Sequence, residues 1–65
     1  MNIIAEPTHA KRGQFVILED GDIFQVTSVR TERATGERVI FGRNEDDTEF
    51  GPYYKGEYRV IQEEN

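Results

Sequence analysis

The chain contains no cysteine, which excludes a disulfide staple and a thiolate metal site. It has one histidine, His9, and one serine, Ser28. Acid–base catalysis needs a histidine held against a nucleophile or a carboxylate, and the neighbours of His9 are Thr8 and Ala10. Ser28 has no nucleophile-elbow context. No apolar run approaches the ~20 residues that span a bilayer. The first seven residues, Met1 to Pro7, are too short and too acidic for a signal peptide. Positive charge is scarce: 8 lysines and arginines against 13 acids give a net charge of −5. That balance opposes general attraction to nucleic acid or to anionic membranes. The expectation is a cytoplasmic, non-enzymatic protein with no catalytic residue, no metal or cofactor, no small-molecule substrate and no membrane association.

The 65 residues amount to one domain, 1–65. A chain of this size buries only ~60% of the surface its unfolded form exposes, so its stability is marginal. Hydrophobic residues make up 35% and charged residues 32%, a lean supply for a core. The compensation expected is a well-closed small barrel, or a partner chain covering one face.

What is present is a pair of turn signals between strand-forming runs. Asp20-Gly21 lies between Phe15-Val16-Ile17-Leu18 and Ile23-Phe24-Gln25-Val26. Asp-Gly suits a two-residue type I′ loop, in which both residues take positive φ. That loop pairs Ile17 with Phe24 and Phe15 with Val26, and puts these four on the core face. Its one flaw is that Glu19 faces Asp22. Ala34-Thr35-Gly36 precedes Val39-Ile40-Phe41 and suits a three-residue loop with Gly36 left-handed. Arg33 then opposes Glu37, Glu32 opposes Arg38, Thr31 opposes Val39 and Val29 opposes Phe41. The first hairpin turns Phe24 and Val26 inward, and the second turns Val29 and Thr31 inward. These have opposite parity, so a regular strand cannot satisfy both. A bulge near Thr27-Ser28 resolves the conflict. A long strand bent in its middle serves both sheets of a small barrel. The expected fold is all-β: a small five-stranded barrel or a strongly bent antiparallel meander.

The remaining elements are shorter. Thr48-Glu49-Phe50 is a strand candidate cut off by Gly51-Pro52. Tyr53 to Gly56 reads as a turn and Glu57 to Gln62 as the last strand, with Tyr58 and Val60 on one side. Residues 1–12 form a leading segment. In it Ile3-Ile4 pairs at a sheet edge or packs over the barrel mouth, and Thr8 to Arg12 is a candidate for one helical turn. Glu63-Glu64-Asn65 is a frayed tail.

The stretch Lys11-Arg12-Gly13-Gln14-Phe15-Val16, with Gly21 and Val26 beyond it, resembles the opening of SH3-like barrels of the KOW and Tudor kind. There a glycine precedes a valine-containing strand and a second glycine sits in the turn. A further glycine usual in KOW segments is replaced here by Asp22-Ile23-Phe24, and the tryptophan of peptide-binding SH3 domains is missing. The resemblance covers about a quarter of the chain and implies an SH3-like fold without specifying a function.

In the expected registers Val16, Leu18, Ile23 and Ile40 share the outer face. Tyr53 and Tyr54 lie in a glycine-punctuated segment, and tyrosine suits interfaces. These six residues are the candidate protein-binding set, for a protein partner or for self-association as a homodimer. The alternative is a nucleic-acid-binding barrel using Arg30, Arg43 and Arg59 with stacking from Tyr53, Tyr54 and Tyr58. The acids Glu45-Asp46-Asp47 are consecutive and lack the glycine of a calcium loop, so they read as a solvated hairpin tip. They also suit a basic partner surface. Gly36→Val is expected to destabilise the domain by about 1 kcal/mol or more, since a β-branched residue resists positive φ. A lowered melting midpoint checks this, and an unchanged one would refute the three-residue loop.

Overall fold

The computed structural model describes residues 2–62; the tail at 63–65 expected to fray lies outside the described residues. Six strands run in chain order: β1 (Asn2–Ile3), β2 (Phe15–Leu18), β3 (Ile23–Thr31), β4 (Arg38–Arg43), β5 (Glu49–Tyr54) and β6 (Tyr58–Gln62). All pairings are antiparallel and form one sheet in the order β1-β6-β2-β3-β4-β5. There is no helix among the described residues, so Thr8 to Arg12 does not form a helical turn. The sheet is open, and the closed five-stranded barrel is not formed. One edge is the two-residue β1; the other is β5, where Pro52 lacks the N–H a new partner strand would need.

The first hairpin has a longer loop than Asp20-Gly21 alone. Leu18 N–H donates to Asp22 C=O at 2.8 Å, and Gly21 N–H donates back to Leu18 C=O at 3.0 Å. The loop is therefore Glu19-Asp20-Gly21, with Gly21 at φ 95°. A two-residue loop would drive Asp20 to positive φ as well, and only Gly21 takes that conformation here. The register slips by one, to Phe15↔Gln25, Val16↔Phe24 and Ile17↔Ile23. Every side chain of β2 exchanges faces. Val16 and Leu18 are core, and Phe15 and Ile17 are not.

The second hairpin slips in the same sense. Glu32 N–H donates to Glu37 C=O and Gly36 N–H to Glu32 C=O, both at 2.8 Å, which makes Arg33 to Gly36 the loop. Gly36 keeps its left-handed φ of 73°. The pairs are Thr31↔Arg38, Arg30↔Val39, Val29↔Ile40 and Ser28↔Phe41. Gly42 accounts for this register. A Cβ there would lie 2.2 Å from the Gln25 carbonyl oxygen and 2.3 Å from the Phe24 ring. The inward position beside Phe24 therefore admits only glycine. Gly42 inward places Ile40 inward and Phe41 outward, the reverse of the expected order.

The bulge expected at Thr27-Ser28 is present. Val26 pairs with Gly42 and Ser28 with Phe41, so Thr27 has no partner on β4. Phe24 and Val26 face the core before it, and Val29 packs on the core after it. A second irregularity lies between β4 and β5, where Gly51 and Pro52 together oppose Phe41. The strand continues through Gly51-Pro52 instead of ending there, because β5 is an edge strand and an edge tolerates a missing backbone donor.

These bends wrap the inner face around one core of Val16, Leu18, Phe24, Val26, Ile40, Tyr58 and Val60. Phe50 stacks on Phe24 with ring centroids 4.8 Å apart and 3° between planes, and Tyr53 tilts against the same ring at 5.9 Å. The leading segment closes the remaining side. Ala10 is buried in the core, and its N–H donates to the Tyr58 hydroxyl at 3.1 Å. Ile3 pairs with Ile61 on β6 while Ile4 packs on the core.

Gly42→Ala is expected to cost about 3 kcal/mol or more, because backbone and the Phe24 ring both occupy the space of the new Cβ. A Cβ at Gly56 meets nothing within 4 Å, so Gly56→Ala carries only the cost of its positive φ, about 1 kcal/mol. Chemical denaturation of the two variants checks the contrast, and equal losses would contradict the role of Gly42.

Candidate functional site

The registers decide which side chains reach the surface. On the outer face one rung runs Ile3, Ile61, Phe15, Gln25 across β1, β6, β2 and β3. The next runs Arg59, Ile17, Ile23. Five apolar side chains therefore meet on two adjacent rungs. Ile61 is buried and Ile17 half-buried, whereas Ile3, Phe15 and Ile23 remain 53%, 42% and 44% exposed. No other large hydrophobic among the described residues is as exposed.

This apolar face differs from the one expected. Val16, Leu18 and Ile40 are core residues, 0%, 8% and 1% exposed, and offer nothing to a partner. The one-residue slips of β2 and β4 turn them inward. Ile23 is the one member of that set that reaches solvent. Ile3, Phe15 and Ile17 were not candidates, although the alternation of β2 held the signal. Either Phe15 and Ile17 or Val16 and Leu18 had to face out, and the loop length decided which.

Tyr53 and Tyr54 do not form one patch. Tyr53 pairs with Ile40 and packs on the core, and Tyr54 pairs with Val39 on the opposite face. The Tyr54 hydroxyl donates to a Glu32 carboxylate oxygen, and the Tyr54 N–H donates to Glu57 Oε1 at 2.8 Å. Tyr54 thus relieves the like-charged closing pair Glu32 and Glu37. The expected pairings of Arg33 with Glu37 and of Glu32 with Arg38 are not made, and Arg43–Glu49 at 2.9 Å is the ion pair among the described residues.

Of the alternative set, Arg30 and Arg43 line one groove beside Phe41, and none of Arg59, Tyr53, Tyr54 and Tyr58 lines it. Arg43 is held by Glu49. Arg59 donates to the backbone carbonyls of Ala5 at 3.0 Å and Tyr58 at 3.1 Å, tying the leading segment to β6. Tyr58 is 2% exposed and presents no ring for stacking. Arg30 lies over the Phe41 ring, 5.8 Å from its centroid, within cation–π range.

His9 is exposed and Ser28 half-buried, and no side-chain hydrogen bond joins either to a catalytic partner among the described residues. No group of three histidines or acids is placed to hold a metal ion among the described residues. No helix there is long and apolar enough to cross a membrane. Comparison with protein-family models, with curated proteins and with solved structures found no match.

The Tyr54 hydroxyl ionises above the ordinary phenol range. Ionisation breaks its hydrogen bond to Glu32, and desolvation and the charges of Glu32, Glu37 and Glu57 act in the same direction. An unfolded tyrosine ionises near pH ~10. The contribution of this contact to stability is therefore full below that pH and is lost as pH rises through the higher folded value. The gap in melting midpoint between the wild type and Tyr54→Phe should hold from about pH 7 to about pH 9 and close above about pH 10. A gap that persists unchanged into strong alkali contradicts this.

Proposed function

We propose that this protein is a non-enzymatic, cytoplasmic protein-interaction module that docks a partner on the outer face of β1, β6, β2 and β3. One observation carries the reading: Ile3, Phe15 and Ile23 stand exposed on adjacent rungs, with Ile17 and Ile61 beneath them. A chain this short has few large apolar residues to spend on its core. Leaving three of them together on one exposed face is costly unless a partner covers it. The leading segment sends Ile4 and Ala10 to the core, while Ile3, Phe15 and Ile23 stay exposed. Val16, Leu18, Ile40, Tyr53 and Tyr54 have no part in the docking face.

The order β6-β2-β3-β4-β5, with a long bulged β3, supports an opened SH3-like architecture. In it the first strand of the meander also pairs with the last. A nucleic-acid-binding module is the runner-up. It retains Arg30 above Phe41, but Arg43, Arg59 and Tyr58 are engaged elsewhere.

Capture from the native cell with the wild type and with a Phe15→Thr/Ile23→Thr double variant tests the docking face. Threonine keeps strand propensity, so the variant should lose no more than about 1–2 kcal/mol of stability. A protein retained by the wild type should bind the variant at least about tenfold more weakly. Equal retention by both would overturn the reading. Salt-sensitive RNA or DNA binding that Arg30→Ala abolishes and the double variant keeps would favour the runner-up.

A further inference from the structure

The docking face runs into a groove between the two turns at one end of the sheet. Phe15, Ile23 and Gln25 lie along it, and Asp22, Glu45 and Asp46 line it from the β2–β3 turn and the β4–β5 loop. The loop is built so that its acids are unengaged. Asn44 Oδ1 accepts from the Asp46 N–H at 2.9 Å and from the Thr48 N–H at 3.0 Å, and Asp47 takes the left-handed φ of 63°. Asn44 and the backbone thus satisfy the turn. The carboxylates of Asp22, Glu45 and Asp46 make no hydrogen bond or ion pair among the described residues. Arg43 also borders the groove, but Glu49 neutralises it at 2.9 Å.

We propose that the partner of this face is a basic–apolar protein segment. It seats one aliphatic or aromatic anchor on Phe15 and Ile23 and sets flanking lysines or arginines against Asp22, Glu45 and Asp46. The inference rests on the docking reading above and specifies its partner's chemistry. An anchor without flanking charge leaves the groove's carboxylates facing desolvation with no compensation. A basic flank turns the same carboxylates into attraction and steering. The stems of lysine and arginine are themselves apolar and extend the contact across the floor. A second copy of this chain suits the groove poorly. It would bring a second net charge of −5 against the same carboxylates, and like-charge juxtaposition opposes association.

Selection from a displayed library of random ten-residue peptides tests the proposal with the full chain as bait. Enriched peptides should carry one large apolar residue flanked by lysine or arginine. Reversing the flanking charges of a selected peptide should weaken it at least about tenfold at low salt, a preference that shrinks as salt rises. An Asp22→Asn/Glu45→Gln/Asp46→Asn variant should lose the basic preference and keep the apolar one. The Phe15→Thr/Ile23→Thr variant should enrich nothing. Enriched peptides with neutral or acidic flanks overturn the partner's chemistry and leave the docking face standing. No enrichment, or enrichment undiminished by Phe15→Thr/Ile23→Thr, overturns the docking face itself. Sedimentation showing a dimer that the same double variant dissociates assigns the face to a second copy and overturns the proposal.

Discussion

The Phe24 ring occupies the space that any side chain at residue 42 would need. Gly42 and Phe24 meet across β3 and β4, and Phe50 on β5 lies parallel to the same ring. This contact sets the parity of β4. With Gly42 inward, Ile40 is inward and Phe41 outward, and the outward Phe41 receives Arg30 from above. It also fixes how β3 must run. Phe24 and Val26 face the ring side before Thr27, and Val29 faces the core after it only because Thr27 adds an unpaired step. The sheet bends there, and a small number of apolar residues closes around a single ring.

The same economy explains the outer face. A core built from Val16, Leu18, Phe24, Val26, Ile40, Tyr58 and Val60 uses one side of each strand. Strand β2 is apolar on both sides, as central strands are when both faces are covered, and β6 adds Ile61 beside Arg59 on its outer side. Their inner side packs into the curled sheet with Ala10; on their outer side Ile61 is buried and Ile17 half-buried, while Phe15 stays exposed. Tyr54 and Arg59, in contrast, are structural. One ties β5 to the Glu32 end of β3, and the other clamps the leading segment to β6. Surface chemistry that looks functional in a list of residue types is here largely spent on holding strand ends in place.

Much of the architecture was legible in the residues. Asp20-Gly21 and Ala34-Thr35-Gly36 marked both hairpins, and the left-handed glycines stand where those signals put them. The parity conflict across Thr27-Ser28 located the bulge, since both faces of one strand had to be apolar in turn. The exposed apolar face was legible only in part. Ile23 reads as outward from the alternation, whereas Phe15 and Ile17 read as core where Val16 and Leu18 stand. A loop longer by one residue changes local energy by little, yet it exchanges the two faces of a strand completely.

Local chemistry therefore determined the all-β class, the antiparallel order of the hairpins, the positive φ at Gly21 and Gly36, and the bend in β3. Those properties depend on residues a few positions apart, and turn residues and alternation encode them directly. Tertiary contact decided the registers, and with them which apolar residues are buried. Gly42 beneath Phe24, Phe50 stacked upon it and Ala10 bonded to Tyr58 join residues distant in the chain. Their fit cannot be weighed before the strands are assembled. That fit places Val16, Leu18 and Ile40 in the core and leaves Ile3, Phe15 and Ile23 facing solvent.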